Sequence, residues 1–237
     1  MPHILRISSL TAISLVLSLY IDASPGSTKG IIQPDQSEAP ADAVQLVGPE
    51  SYRLIPEKAE VKNQWVFKDG VLTASPKWDS LITEDVYEDF RLHVEFNVND
   101  RKDAKEPEEN GNSGIYIQQR YEVQILNSYG VKAADYKASY AGSLYKLKKP
   151  DKLVSRPAGE WQSYDIVFRA ARYKGGKKTK NARITVLHNG ESIHDDYEIP
   201  RKTGAGKPEG PKPGPIRFQG HHNPVQFRNV WIKKLKL

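Results

Sequence analysis

Glu122 and Gln124 stand two residues apart in the run YEVQI, with Asn112, Ser113 and Gly114 a short way upstream. In an extended strand successive side chains alternate between faces, so Tyr121, Val123 and Ile125 share one side and Glu122 and Gln124 the other. A short reversal near Gln119 lets the preceding strand present Tyr116 and Gln118 to that second surface, with Arg120 near enough to pair with Glu122. A carboxyl among neutral amides is a candidate general acid or base, because desolvation lifts its pKa toward working pH. Farther along, Arg217 and Gln219 share a face and are followed by His221, His222 and Asn223. Histidine exchanges protons near neutrality without heavy perturbation, which makes His221 the candidate partner of Glu122. The plain alternative is the wet outer face of an edge strand.

Other titratable residues carry weaker signals. A retaining glycosidase needs two carboxylates about 5 to 5.5 Å apart, and here the alternate position holds Gln124, which disfavours that chemistry. His93, His188 and His194 read as solvated strand or hairpin residues rather than ligands. His221 and His222, with Glu122 or Glu95, could hold a divalent ion, but adjacent strand residues point to opposite faces, so neither a metal nor another cofactor is expected. Trp161 and Trp231 read as packing residues.

These candidates have to be positioned by β-structure. Phe90, Leu92, Val94, Phe96 and Val98 alternate with polar residues, the period of a strand with one buried and one wet face. Asp69-Gly70 and Asn189-Gly190 tolerate positive φ and sit between short apolar runs, predicting two tight hairpins. Further strands are predicted at residues 80–83, 113–118, 121–126, 162–171, 215–219 and 227–237. Many short strands and no long helical period mean an all-β sandwich or barrel. The stretches 99–110 and 203–213 are charged or rich in Gly and Pro, and read as rim loops of the kind that carry binding groups.

The 237 residues suit one large sandwich domain. Residues 1–23 pair a basic start with an apolar run too short to span a bilayer, the pattern of a secretory signal peptide. Residues 24–43 are rich in Pro, Ser, Gly and Asp and read as a disordered linker, which leaves 44–237 as the domain. The chain has no cysteine, so disulfides, thiolate metal sites and cysteine nucleophiles are excluded. The net charge of +6 invites a nucleic-acid reading, but the lysines are scattered over loops and the chain end, so no nucleic-acid partner is expected. Export to a bacterial periplasm or exterior, with no membrane insertion after signal cleavage, fits these features.

Six ordered segments carry a resemblance: WVFKDGVL from Trp65, NSGIY from Asn112, YEVQIL from Tyr121, GSLY from Gly142, PAGEW from Pro157 and NPVQFRNV from Asn223. Together they resemble the 3-keto-disaccharide hydrolase family across nearly the whole domain. The resemblance implies a concanavalin A-like jelly-roll β-sandwich of two antiparallel sheets. It also implies action on a glycoside whose C3 hydroxyl has been oxidised to a ketone, by hydrolysis or by loss of the C2 proton followed by hydration. On that reading Glu122 and His221 handle protons, and Gln118, Gln124, Gln219 and Asn112 orient hydroxyls. Arg120 or Arg217 would stabilise an oxyanion, and Tyr145 would stack on the sugar. Asn127 and Gly220 stand where many members carry Asp. A non-catalytic carbohydrate-binding module and a structural surface protein are the alternatives.

Overall fold

The computed structural model describes residues 26–32, 37–77 and 79–237. Its strands are β1 (Val44–Val47), β2 (Leu54–Pro56), β3 (Val66–Lys68), β4 (Val71–Thr73), β5 (Leu81–Thr83), β6 (Phe90–Asn97), β7 (Ser113–Ile117) and β8 (Tyr121–Ile125). They continue with β9 (Gln162–Arg169), β10 (Arg172–Lys174), β11 (Lys177–Lys180), β12 (Ala182–His188), β13 (Glu191–Ile199), β14 (Arg217–Phe218) and β15 (Gln226–Lys234). Pro107–Glu109 and Ala133–Asp135 form single 3-10 turns. Among the described residues no helix is long and apolar enough to cross a membrane.

An antiparallel eight-stranded sheet runs β13-β12-β9-β6-β15-β4-β3, with β1 also paired to β15, and a five-stranded sheet runs β2-β5-β14-β7-β8. The inward apolar residues of both sheets make one core, in which Tyr121 meets Phe168 at 5.5 Å and Phe218 meets Phe227 at 5.4 Å between ring centroids. Each such aromatic removes enough apolar surface from water to contribute about 1.5–3 kcal/mol. The Tyr164 hydroxyl donates to the Gln124 carbonyl at 2.7 Å, so a polar bond also ties one sheet to the other.

Both predicted hairpins form, with Asp69 at φ 51° and Asn189 at φ 53°, each followed by a glycine of positive φ. The β10–β11 hairpin was not anticipated, because its second strand, KKTK, carries no apolar residue to mark it. The wet face expected on β6 is covered instead. His93 is 1% exposed, bonds Asp165 at 2.9 Å and stacks on Trp231. His188 and His194 are also buried, bonding Gln162 and the Gly142 carbonyl, so the solvated reading of all three histidines is corrected. Part of the cover comes from the stretch expected as a disordered linker. There Thr28 bonds Thr185 and Asp196, Ile32 packs on Val167 and Leu187, and the Ser37 carbonyl accepts from the Trp231 indole. Those described residues dock on the large sheet because they offer it an apolar side chain and hydrogen-bonding groups where its outer face is not fully polar. The predicted signal peptide lies outside the described residues.

Candidate active site on the outer face of the smaller sheet

The β7–β8 register sets Tyr116 opposite Glu122 and Gly114 opposite Gln124, and the β14–β7 register sets Arg217 opposite Tyr116. Strand alternation then places Glu122, Tyr116 and Arg217 in one row on the face away from the core. Gln219 continues the next row, its backbone N–H donating to the Gly114 carbonyl at 3.0 Å. A Cβ at Gly114 would lie 2.5 Å from Glu122 Oε1, so any larger residue there would push the carboxyl from its place.

Glu122 is 2% exposed, far from the wet strand face that periodicity alone suggests. Its backbone N–H donates to Thr203 Oγ1, and its carbonyl accepts from the Tyr145 N–H, so two loops cover the open edge of this end strand. The Tyr116 hydroxyl hydrogen-bonds the carboxyl, while Glu122 Oε2 is buried without a partner. Turned with its nitrogen toward the carboxyl, the Gln124 amide donates to Glu122 Oε1 at 3.0 Å and to the Ser113 carbonyl at 3.3 Å. Burial pushes Glu122 up to about 8 from 4.5, against the opposing pull of the Tyr116 bond and the Arg217 charge, with Glu108 adding to the rise. A carboxyl so placed carries its proton at neutral pH.

Arg217 lies over the Tyr116 ring, 3.5 Å from its centroid, and is held 3.5 Å from Glu57. Gln219 Nε2 donates to the Tyr116 hydroxyl at 3.3 Å, leaving its own Oε1 buried and unbonded. Tyr145 donates its hydroxyl to Glu108 Oε2 at 2.9 Å, joining the 99–110 loop to the wall beside Glu122. The Glu108 charge reaches both Glu122 and His221. His221 is half-buried, and burial moves its imidazole below the ordinary value of 6.5, so it is mainly neutral at pH 7.

Of the expected residues, Glu122, Gln124, Arg217, Gln219 and Tyr145 come together, while His221 shares with Glu122 only the influence of the Glu108 charge. Asn112 is buried beside Gln124 and donates to the Glu108 carbonyl, bracing the loop. Gln118 and Arg120 are not brought to Glu122. Gln118 and Gln119 take positive φ at the hairpin tip, which swings Gln118 away to donate to the Tyr87 carbonyl. Arg120 spans Gln118 Oε1 and the Lys212 carbonyl, so it holds the turn to the 203–213 loop rather than pairing with Glu122. Sequence reasoning put Tyr116 on the right face without a role, and missed Glu108, which sits in a loop whose charges look alike. A carboxylate at position 220 is sterically barred, because any Cβ there would overlap the Asp79 carbonyl. Among the described residues no group of three or more acidic, histidine or cysteine side chains is set to hold a metal ion. Glu95 has its oxygens on Arg228 and Asn229, and His222 bonds the Pro76 carbonyl.

A family model described as a 3-keto-alpha-glucoside-1,2-lyase-like domain matches residues 53–233. The crystal structure of a "putative glycosyl hydrolase" from Parabacteroides distasonis is similar at 30% identity, covering 97% of this chain and 100% of that one with a TM-score of 0.75. A second "putative glycosyl hydrolase" from the same organism is similar at 26% identity, covering 81% and 99% with a TM-score of 0.56. A search of curated proteins gives no match. The match spans every strand of the site, β7, β8 and β14, and with it the chain belongs to the 3-keto-alpha-glucoside-1,2-lyase-like domain family.

Proposed function

We propose that this protein is an exported enzyme that cleaves 3-keto-glycosides by elimination across C1 and C2, followed by hydration. The observation that carries the reading is a buried carboxyl, Glu122, set on one sheet face with Tyr116 and Arg217, together with an imidazole, His221, that feels the same Glu108 charge and is pushed the other way in pKa. Glu122 keeps its proton to about 8, and His221 gives its proton up below 6.5. Such a divergence supports Glu122 as the acid and His221 as the base. A ketone at C3 acidifies the C2 proton, which neutral His221 removes. The C1–O bond then breaks as its former neighbour, the C2 electron pair, becomes the C1=C2 double bond. Glu122 gives its proton to the departing oxygen. Arg217 is the cation of this face and Gln124 and Gln219 are its amides, suited to the enolate oxygen and the sugar hydroxyls. Water added across the double bond completes a net hydrolysis. Residues 1–23 would direct the chain out of the cytoplasm and be removed.

The test compares 3-keto-trehalose with trehalose. The expected result is release of glucose from the keto sugar alone, with Glu122→Gln lowering kcat by about 10²–10⁴, the usual contribution of a positioned proton donor. Equal cleavage of both sugars, or full turnover by Glu122→Gln, overturns the proposal. Binding of both sugars without turnover assigns a carbohydrate-binding module in its place.

A further inference from the structure

A cleft of about 770 Å³ opens on the large-sheet side of the molecule, bordered by the end of β9, the β10–β11 hairpin and the β12–β13 edge. Five cations line it: Arg169, Arg172, Lys178, Lys180 and Arg183. Three of them have carboxylate partners: Arg172 pairs with Asp89, Lys178 with Glu209 at 2.8 Å, and Arg183 with Asp196 at 2.9 Å. Arg169 and Lys180 have no ion pair among the described residues.

Arg169 is the telling case. It is only 4% exposed, and its guanidinium is held by the Ala170 and Asn181 carbonyls, with Nε buried and unbonded. A buried cation normally has a carboxylate against it, because desolvating an unpaired charge is unfavourable. Burial and the Arg172 and Arg183 charges pull its pKa down and outweigh the more distant Asp89 and Asp196, neither of which forms an ion pair with it. Lys180 stands exposed on the same cleft.

We propose that this cleft is a second binding site, for an acidic saccharide whose oxyanion sits between Arg169 and Lys180. Guanidinium groups match the planar or tetrahedral oxyanions of carboxylate, sulfate and phosphate with paired donors. The volume falls within the roughly 300–1,000 Å³ of small-molecule sites and far exceeds the space an inorganic ion needs. The cleft's own carboxylates, Asp196 and Glu198, are taken up by Arg183, Ser27 and Asn181, so they do not neutralise Arg169 or Lys180 by direct pairing. The inference stands on these cations and does not depend on the chemistry proposed at Glu122.

The experiment is calorimetric titration of the full chain at low ionic strength with four probes: a glucuronate-containing disaccharide, glucose 6-phosphate, sodium sulfate and an uncharged disaccharide. The expected result is that at least one acidic saccharide binds roughly tenfold or more tightly than the uncharged one, and more weakly as salt screens the contact. The acidic probe that binds names the oxyanion. Lys180→Glu, an exposed change that leaves the melting temperature unmoved, weakens that binding by roughly tenfold or more. Equal binding of charged and uncharged sugars overturns the proposal. So does binding of sulfate alone, or indifference to Lys180→Glu.

Discussion

Replacing Glu122 with Gln keeps the shape of the side chain and an acceptor for the Tyr116 hydroxyl while removing the titrating proton. Burial holds the native carboxyl near 8, whereas the unfolded chain titrates near 4.5. The folded pKa is the raised one, so between these two values the native state keeps a proton that the unfolded chain has released. Stability from this group is therefore complete below pH 4.5 and is lost as pH rises through 8. The slope is about 1.4 kcal/mol per pH unit, which makes about 2.5 kcal/mol from pH 5 to 7 and a ceiling of about 5 kcal/mol across the interval. Because Glu122 is almost wholly out of solvent, screening by water takes little from this figure. Urea unfolding of both proteins at pH 5, 6, 7 and 8, at constant ionic strength, isolates the term, since every other titrating group is shared. The two proteins should be close in stability at pH 5, and the variant should gain on the parent with each step upward. A difference that stays constant from pH 5 to 8 would mean that the carboxyl is not held protonated, and the acid role assigned to it would fall with that result.

Two further changes act on the same carboxyl. Tyr116→Phe removes the hydroxyl that favours the ionised form, so the alkaline limb of the pH–rate profile on a 3-keto substrate should move upward, and the orphaned Gln219 amide should cost about 1–2 kcal/mol in chemical denaturation. Glu108→Gln removes a charge that raises both Glu122 and His221, so both limbs should move to lower pH, and carboxyl and imidazole NMR titrations should shift the same way.

What could be read from the sequence was local or periodic. Asp69-Gly70 and Asn189-Gly190 specify their turns by backbone preference alone, and the alternation in YEVQI correctly puts Glu122 and Gln124 on one face away from the core. Whether that face is wet is a different matter, because it depends on Thr203, Tyr145 and Glu108 arriving from loops far along the chain. The same limit explains His93. Its alternation with apolar neighbours is plain, but its cover comes from Trp231 and the segment around Ser37. Arg120 and Gln118 were misdirected by the turn itself, since two consecutive positive φ values at 118 and 119 break the alternation that would have aimed Gln118 at Glu122. Glu108 leaves no periodic trace, and only the bond from Tyr145 separates it from its acidic neighbours.

Burial of a titratable group does not by itself nominate chemistry, as comparison of His93 with Glu122 makes clear. Both are nearly inaccessible and both have raised pKa values. Burial works against the His93 cation, yet the bond to Asp165 and the nearby Glu95 carboxylate outweigh it. With Nδ1 2.9 Å from Asp165 and Nε2 3.8 Å from Glu95, the ring is matched by two carboxylates, and Arg91 and Arg228 in turn meet those acids. Every charge there has a counter-charge, so a proton moved from His93 would leave two carboxylates short of the cation they face, even though Nε2 itself makes no hydrogen bond. Glu122 has the opposite balance. Its nearest bonds come from neutral groups, one oxygen is unbonded, and its cation, Arg217, is already engaged by Glu57 and the Tyr116 ring. Its proton stays on through lack of solvation, not through a partner, and a substrate oxygen that accepted the proton would relieve no existing bond. The small sheet therefore holds a proton available for transfer, while the large sheet holds one committed to structure.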